Sequence, residues 1–226
     1  NTSAMYVESD GTFDLFGWSI AKTQFGLMSS QDSDEYFDYK NGDFVDWGTQ
    51  FKSGYRTLTQ SEFSYILTGG TVGRFEDSPR FVKAQITTSD NKIVNGLFLL
   101  PDNFTAPSGI NFTPNSYGAE FDANRLTYDK FTQMEAAGAV FLPAAGRRKG
   151  TGVGDHQKED DEENEELPFN CGTYWVTYNQ DNENTYDLIF SNRNSTFAGS
   201  AIVAIEGGPD NDRSVGRSVR LAKDVE

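Results

Sequence analysis

The chain is 226 residues long, enough for one large domain or two small ones, and its net charge is −15. Such a charge repels a phosphate backbone, and the only basic cluster, Arg147-Arg148-Lys149, is followed at once by acidic residues, so nucleic acid is excluded as a partner. A single cysteine excludes an internal disulfide, no apolar run is long enough to insert in a membrane, and abundant Gly, Phe and Tyr argue for a loop-rich β or α+β domain over a helical bundle.

From Met5 to Gly54 the aromatics follow neither the strand nor the helix period, which predicts short strands and long loops. Thr59 and Glu62 have the spacing of a capping box, in which each side chain satisfies an orphan backbone N–H of the first helical turn. Phe63, Ile66 and Leu67 then share one face, and Gly69-Gly70 is a stop. Phe81–Ile86 and Ile93–Leu100 read as strands joined by a turn at Ser89-Asp90-Asn91. A second helix is predicted from Thr127, its cap, to Ala137. Phe131 and Met134 face inward there, and Gly138 takes the left-handed position after the end. Ala139–Leu142 follows as a buried strand.

The acidic run 156–166 cannot bury apolar area and is expected to form a surface loop inserted in the domain. The last third reads as antiparallel strands at Thr173–Tyr178, Thr185–Phe190, Ser200–Ile205 and Arg217–Val225, with turns at Gln180–Asn184 and Gly207–Asp212. No linker divides the chain, so residues 1–226 are expected to form a single domain.

Several segments, in this order, carry a resemblance. They are Trp47-Gly48, Arg56–Thr59 with Glu62-Phe63, Leu99–Asn103 with Ala106–Gly109, Ala136–Arg147, Tyr174-Trp175 and Gly216–Leu221. Together they resemble a large family of Bacteroidales surface proteins related to the Fibrobacter major paralogous domain. That family is similar to the formylglycine-generating-enzyme branch of the C-type lectin fold. The resemblance implies an α+β, C-type-lectin-like fold: two helices with a curved antiparallel sheet and long loops. Some relatives are variable proteins of diversity-generating retroelements, in which adenine-directed copying errors alter side chains of a C-terminal stretch on a fixed backbone.

In this chain the corresponding stretch, 173–213, carries Thr173, Tyr178, Asn179, Asp181, Asn182, Asn184, Tyr186, Ser191, Asn192, Asn194 and Asn211. The composition resembles antibody binding loops, where Tyr gives rigid contact area and Ser or Asn gives adaptable hydrogen bonds. Val176 stands where relatives carry a Ser, and it completes the candidate ligand-contacting set. Trp175, Gln180, Glu183 and Arg213 are assigned to the framework. Arg213 and Arg220 are expected to tie down loops by pairing with carboxylates.

The formylglycine-generating relatives act through a pair of cysteines, whereas this chain has only Cys171. The one histidine, His156, lies in the acidic run, a poor place to hold a general base. Asp32-Ser33-Asp34-Glu35 and Asp210-Asn211-Asp212 alternate oxygen ligands but read as polar turns. The sequence thus predicts a binding domain without catalysis, cofactor or metal. Its ligand would be a protein or glycan of another cell or host, met at a cell surface or a phage tail. The alternative is a structural or pilus-associated surface protein whose polar face merely solvates.

Overall fold

The computed structural model describes residues 46–48, 54–69, 79–149, 152–154, 169–177, 185–192, 202–208 and 216–224. The expected strands before residue 46, the acidic run and the Gln180–Asn184 turn lie outside them.

The fold is α+β. Strand β1 (Arg56–Thr57) leads into helix α1 (Gln60–Thr68), followed by the hairpin β2 (Phe81–Thr87) and β3 (Ile93–Leu99). A 3-10 turn (Phe121–Ala123), β4 (Arg125–Leu126), helix α2 (Tyr128–Ala136) and β5 (Val140–Pro143) come next. A small hairpin, β6 (Arg147–Lys149) and β7 (Gly152–Gly154), precedes β8 (Cys171–Val176), β9 (Thr185–Ser191), β10 (Ile202–Gly208) and β11 (Leu221–Ala222).

Both helices form for the reasons legible in their sequences. The Thr59 hydroxyl accepts from the Glu62 N–H, and the Glu62 carboxylate accepts from the Thr59 N–H at 2.8 Å. Gly69 ends α1 at φ 70°, a conformation that costs glycine nothing. Thr127 caps α2, whose buried residue is Met134, while Phe131 packs half-buried on Phe98 and Phe141.

Among the described residues the mostly antiparallel strands are arranged in several sheets. A four-stranded sheet has the order β4-β2-β3-β5, antiparallel except for the β2–β4 pair. A three-stranded antiparallel sheet has the order β10-β9-β8. One core lies between these two sheets and under α1, built on Phe63, Phe81, Leu97, Leu142, Leu188 and Phe190. A second lies on the other face of the four-stranded sheet, built on Val82, Phe98, Leu126 and Met134 beneath α2.

Polar side chains fill one end of the seam between the two sheets. On the inward face of β2 and β3, Phe81 and Leu99 give way to Lys83 and then to the facing pair Gln85 and Asn95. The Lys83 ammonium donates to the Ser191 carbonyl at 2.8 Å. Asn95 donates to the Phe169 carbonyl, and the Asn192 carboxamide oxygen accepts from the Phe121 N–H at 2.8 Å. A buried Phe stabilises by about 2–3 kcal/mol and a hydrogen bond by about 1 kcal/mol net, so the apolar cores drive assembly and the seam fixes its registration.

The strand ends differ from expectation in detail. Gly207 and Gly208, expected in a turn with Asp212, close β10 opposite Tyr186 and Thr185. A Cβ on Gly207 would lie 2.3 Å from the Thr185 carbonyl oxygen, so only glycine lets the backbones come that close. Of the expected strand Arg217–Val225, the described residues show bridges at Arg217 and Ser218, with Ser218 facing Tyr174, and the short β11, which pairs with β1.

Candidate functional site

The predicted contact stretch begins on β8 and β9, and these strands are buried on both faces. Facing residues of an antiparallel ladder share a face. Tyr174, Val176, Leu188 and Phe190 therefore point into the core between the sheets. The alternate residues Thr173, Trp175, Asp187, Ile189 and Ser191 point the other way and are equally buried.

That second face is a built framework. Trp175 stacks on Trp47 with ring centroids 6.3 Å apart, and Val219 and Leu221 pack against the pair. Arg217 lies over the Trp175 ring at 4.3 Å, and its Nε donates to Asp187 Oδ2 at 2.8 Å. The Thr173 hydroxyl donates to the Gly146 carbonyl at 3.0 Å. On the core side, the Tyr174 hydroxyl donates to the Pro143 carbonyl at 2.9 Å, and burial holds its pKa above the usual tyrosine value.

Three of the predicted contact residues are therefore corrected. Thr173 is 1% exposed, and Val176 and Ser191 are fully buried. Their side chains support the sheet and cannot touch a ligand. The polar letters within the strands had suggested an outward contact face. They are instead internal ties, since a buried hydroxyl or carboxylate must be hydrogen-bonded to be tolerated.

Tyr186 is half-buried, packing against the inter-sheet core. Asn192 is half-buried, with its carboxamide engaged to the Phe121 N–H and to Asn170 in the seam. Tyr178, Asn179, Asp181, Asn182, Asn184, Asn194 and Asn211 lie outside the described residues, as do Gln180, Glu183 and Arg213.

The strand register separates Tyr186 from Asn192. Val176 faces Tyr186 and Gly208 faces Thr185, so β8 ends and β9 begins at the same end of the sheet, where β10 also finishes. Ser191 faces Ile202, so β9 ends and β10 begins at the opposite end. The seven residues of β9 put about 20 Å between the two ends. Tyr186 thus lies at one end and Asn192 at the other.

The first end is tightly held up to the last described residue. Thr177 donates its N–H to the Leu58 carbonyl at 3.1 Å and accepts from the Gln60 N–H at 2.8 Å, which pins the exit of β8 to the start of α1. Asp46 accepts from the N–H groups of Gly48 and Thr57, holding the Trp47 segment against β1.

Sequence reasoning missed Arg217 and Asp187, assigning carboxylate pairing to Arg213 and Arg220. Arg220 is exposed. The available signal was parity, since Asp187 shares a strand face with the buried Ile189. Among the described residues no group of three or more His, Cys, Asp or Glu is placed to hold a metal ion. Comparison with known proteins finds no matching family model, no matching curated protein and no matching solved structure.

Proposed function

We propose that this chain is an extracellular, non-catalytic binding domain of C-type-lectin-like fold, related to the Bacteroidales surface proteins that its motifs resemble. It recognises a protein or glycan of another cell or host through the end of the three-stranded sheet marked by Tyr186 and the 178–184 segment. The observation carrying this reading is the two-sided burial of β8 and β9. A strand pair locked by Trp47, Trp175, Arg217 and Asp187 makes a stiff base for the Tyr-, Asn- and Asp-rich segment that leaves it. A stiff base lowers the ordering cost of binding, so many weak polar and aromatic contacts suffice. The single histidine and single cysteine support a role without nucleophilic chemistry.

A glycan and protein array probed with wild type and with the Tyr178→Ala, Asn182→Ala, Tyr186→Ala triple variant tests the reading. Loss of array binding with retained folding is the expected result. Binding that survives the triple substitution, or no binding by wild type, sinks it. The retroelement version of the proposal is tested in the flanking DNA. It requires an imperfect copy of the 173–213 coding stretch beside a reverse transcriptase, with mismatches confined to template adenines. Mismatches at other template bases reject it. Buried Thr173, Val176 and Ser191 are further expected to match the template.

A further inference from the structure

Tyr65, Arg80 and Asp102 come together from α1, the entry to β2 and the loop after β3. Arg80 is buried and is the hub of the group. One terminal nitrogen donates to Asp102 Oδ1 and the other to the Tyr65 carbonyl at 3.0 Å, while the guanidinium carbon lies over the Tyr65 ring, 5.2 Å from its centroid. The Tyr65 hydroxyl donates to Asp102 Oδ2 at 2.8 Å. Asp102 stands on a well-held turn. The Arg80 carbonyl accepts from the Leu100 N–H at 2.8 Å, the Pro101 carbonyl accepts from the Phe104 N–H at 3.1 Å, and Phe104 is buried. The buried members thus fix the two groups that meet solvent, Tyr65 at 48% and the Asp102 side chain at 56% exposure.

We propose that the Tyr65 ring and the Asp102 carboxylate bind a neutral pyranose sugar, its apolar C–H face stacked on the ring and two adjacent hydroxyls donating to the carboxylate. Arg80 covers one face of the ring, so the exposed area belongs to the other face and the edge. A tyrosine offers a large contact with only two χ angles to order, and the bond to Asp102 has ordered them already. That bond also sets the carboxylate at the rim of the ring. Each Asp102 oxygen holds one of these internal bonds and keeps a second lone pair, so the two oxygens together can receive a vicinal diol. The charge balance selects a neutral ligand. Arg80 already offsets the Asp102 carboxylate, and its charge behind the ring opposes a second cation in front of it. The same guanidinium, followed by the Tyr65 hydroxyl, holds the Asp102 pKa below the ordinary carboxylate value, so the acceptor is ionised at neutral pH.

One ring and one carboxylate make a weak site, so millimolar affinity is expected for a single sugar. The site shares no residue with the Tyr186 end, and either can fail alone.

Saturation-transfer NMR of the full chain with the methyl β-glycosides of glucose, galactose and N-acetylglucosamine tests it. Transfer should be strongest at the C–H protons of one sugar face, and binding should be equal at about 0.02 M and about 0.5 M NaCl, as for an uncharged ligand. Tyr65→Ala should abolish transfer in a folded chain. Asp102→Asn should weaken binding about fivefold, the step from a charged to a neutral acceptor. The folded Tyr178→Ala, Asn182→Ala, Tyr186→Ala triple variant should bind as wild type does. Backbone amide shifts of wild type should move at Tyr65, Asp102 and Asn103 as glycoside is added, which decides the matter even if a variant fails to fold. Absence of transfer to all three glycosides overturns the proposal, as does binding that survives Tyr65→Ala, is undiminished in Asp102→Asn, or is lost in the folded triple variant. So does tighter binding of tetramethylammonium, which would make the ring a cation site.

Discussion

Arg217 and Asp187 meet as an ion pair with only 2% and 3% of their side chains exposed, thirty positions apart in sequence, with the guanidinium lying on Trp175. Buried charges are tolerated only as a pair, because each alone leaves the other desolvated. Arg217→Met is therefore expected to cost about 3–5 kcal/mol in urea unfolding. The double variant Arg217→Met, Asp187→Leu should recover a large part of that loss. Simple additivity of the two single losses would show that the pair is not coupled.

Lys83 sits 1% exposed in the seam, and burial lowers its pKa to about 8 against the opposing pull of the Glu120 carboxylate. The unfolded chain then binds more protons than the folded one between about pH 8 and about pH 10.5. Stability contributed through this group rises as pH climbs through that window. Chemical denaturation midpoints of wild type should gain on those of Lys83→Met between about pH 7.5 and about pH 9.5. Parallel curves for the two proteins would contradict the burial argument.

Glu62 joins the α1 cap to the chain's closing segment. It accepts from the Thr59 N–H and takes both terminal nitrogens of Arg56, which also reaches Asp224. The Arg56 guanidinium, followed by the Thr59 groups against a partial burial cost, holds the Glu62 pKa down to about 2. Its stabilisation is present above the ordinary carboxylate range and is lost as pH falls toward about 2. Thr59→Ala should cost about 0.5–2 kcal/mol near neutrality, read from thermal unfolding. Glu62→Gln should flatten the acid limb of the stability profile, and an unchanged limb would count against the assignment.

Gly172 faces Phe190 across the β8–β9 pair, and a Cβ there would lie 2.2 Å from the ring. Gly172→Ala forces that ring off its site and should cost about 1–3 kcal/mol. Adding Phe190→Leu gives the methyl room, so the double variant should lose less than the sum of its parts in a denaturation cycle.

Local signals in the sequence were sufficient wherever one element satisfies its own backbone. The Thr59–Glu62 box, the Thr127 cap, the turn at Asn91 and Gly138 all act within a few residues, and each stands where the sequence places it. The seam between the sheets was not legible, because Lys83, Asn95 and Asn192 reach it from distant segments. The burial of three of the expected contact residues was not legible for a related reason. Thr173 and Ser191 are polar letters on strands, and polarity usually marks the solvent face. Here both faces are covered, one by the inter-sheet core and one by Trp47 and Arg217, and neither cover is adjacent in sequence. Trp175 escaped that error because its bulk makes a core position the natural reading.

The pairing of β1 with β11 has a mechanical meaning. Arg56 faces Ala222 and Thr57 faces Leu221, so handles attached at Arg56 and Ala222 sit side by side at one end of the ladder. Tension between those two handles loads the short ladder one bond at a time, beginning at Arg56, in the geometry of a zipper and not of a shear. The Arg56–Asp224 contact is the first to take the load. A domain pulled through these two points should yield there at low force, while the three-stranded sheet and its Trp47–Trp175 buttress still hold.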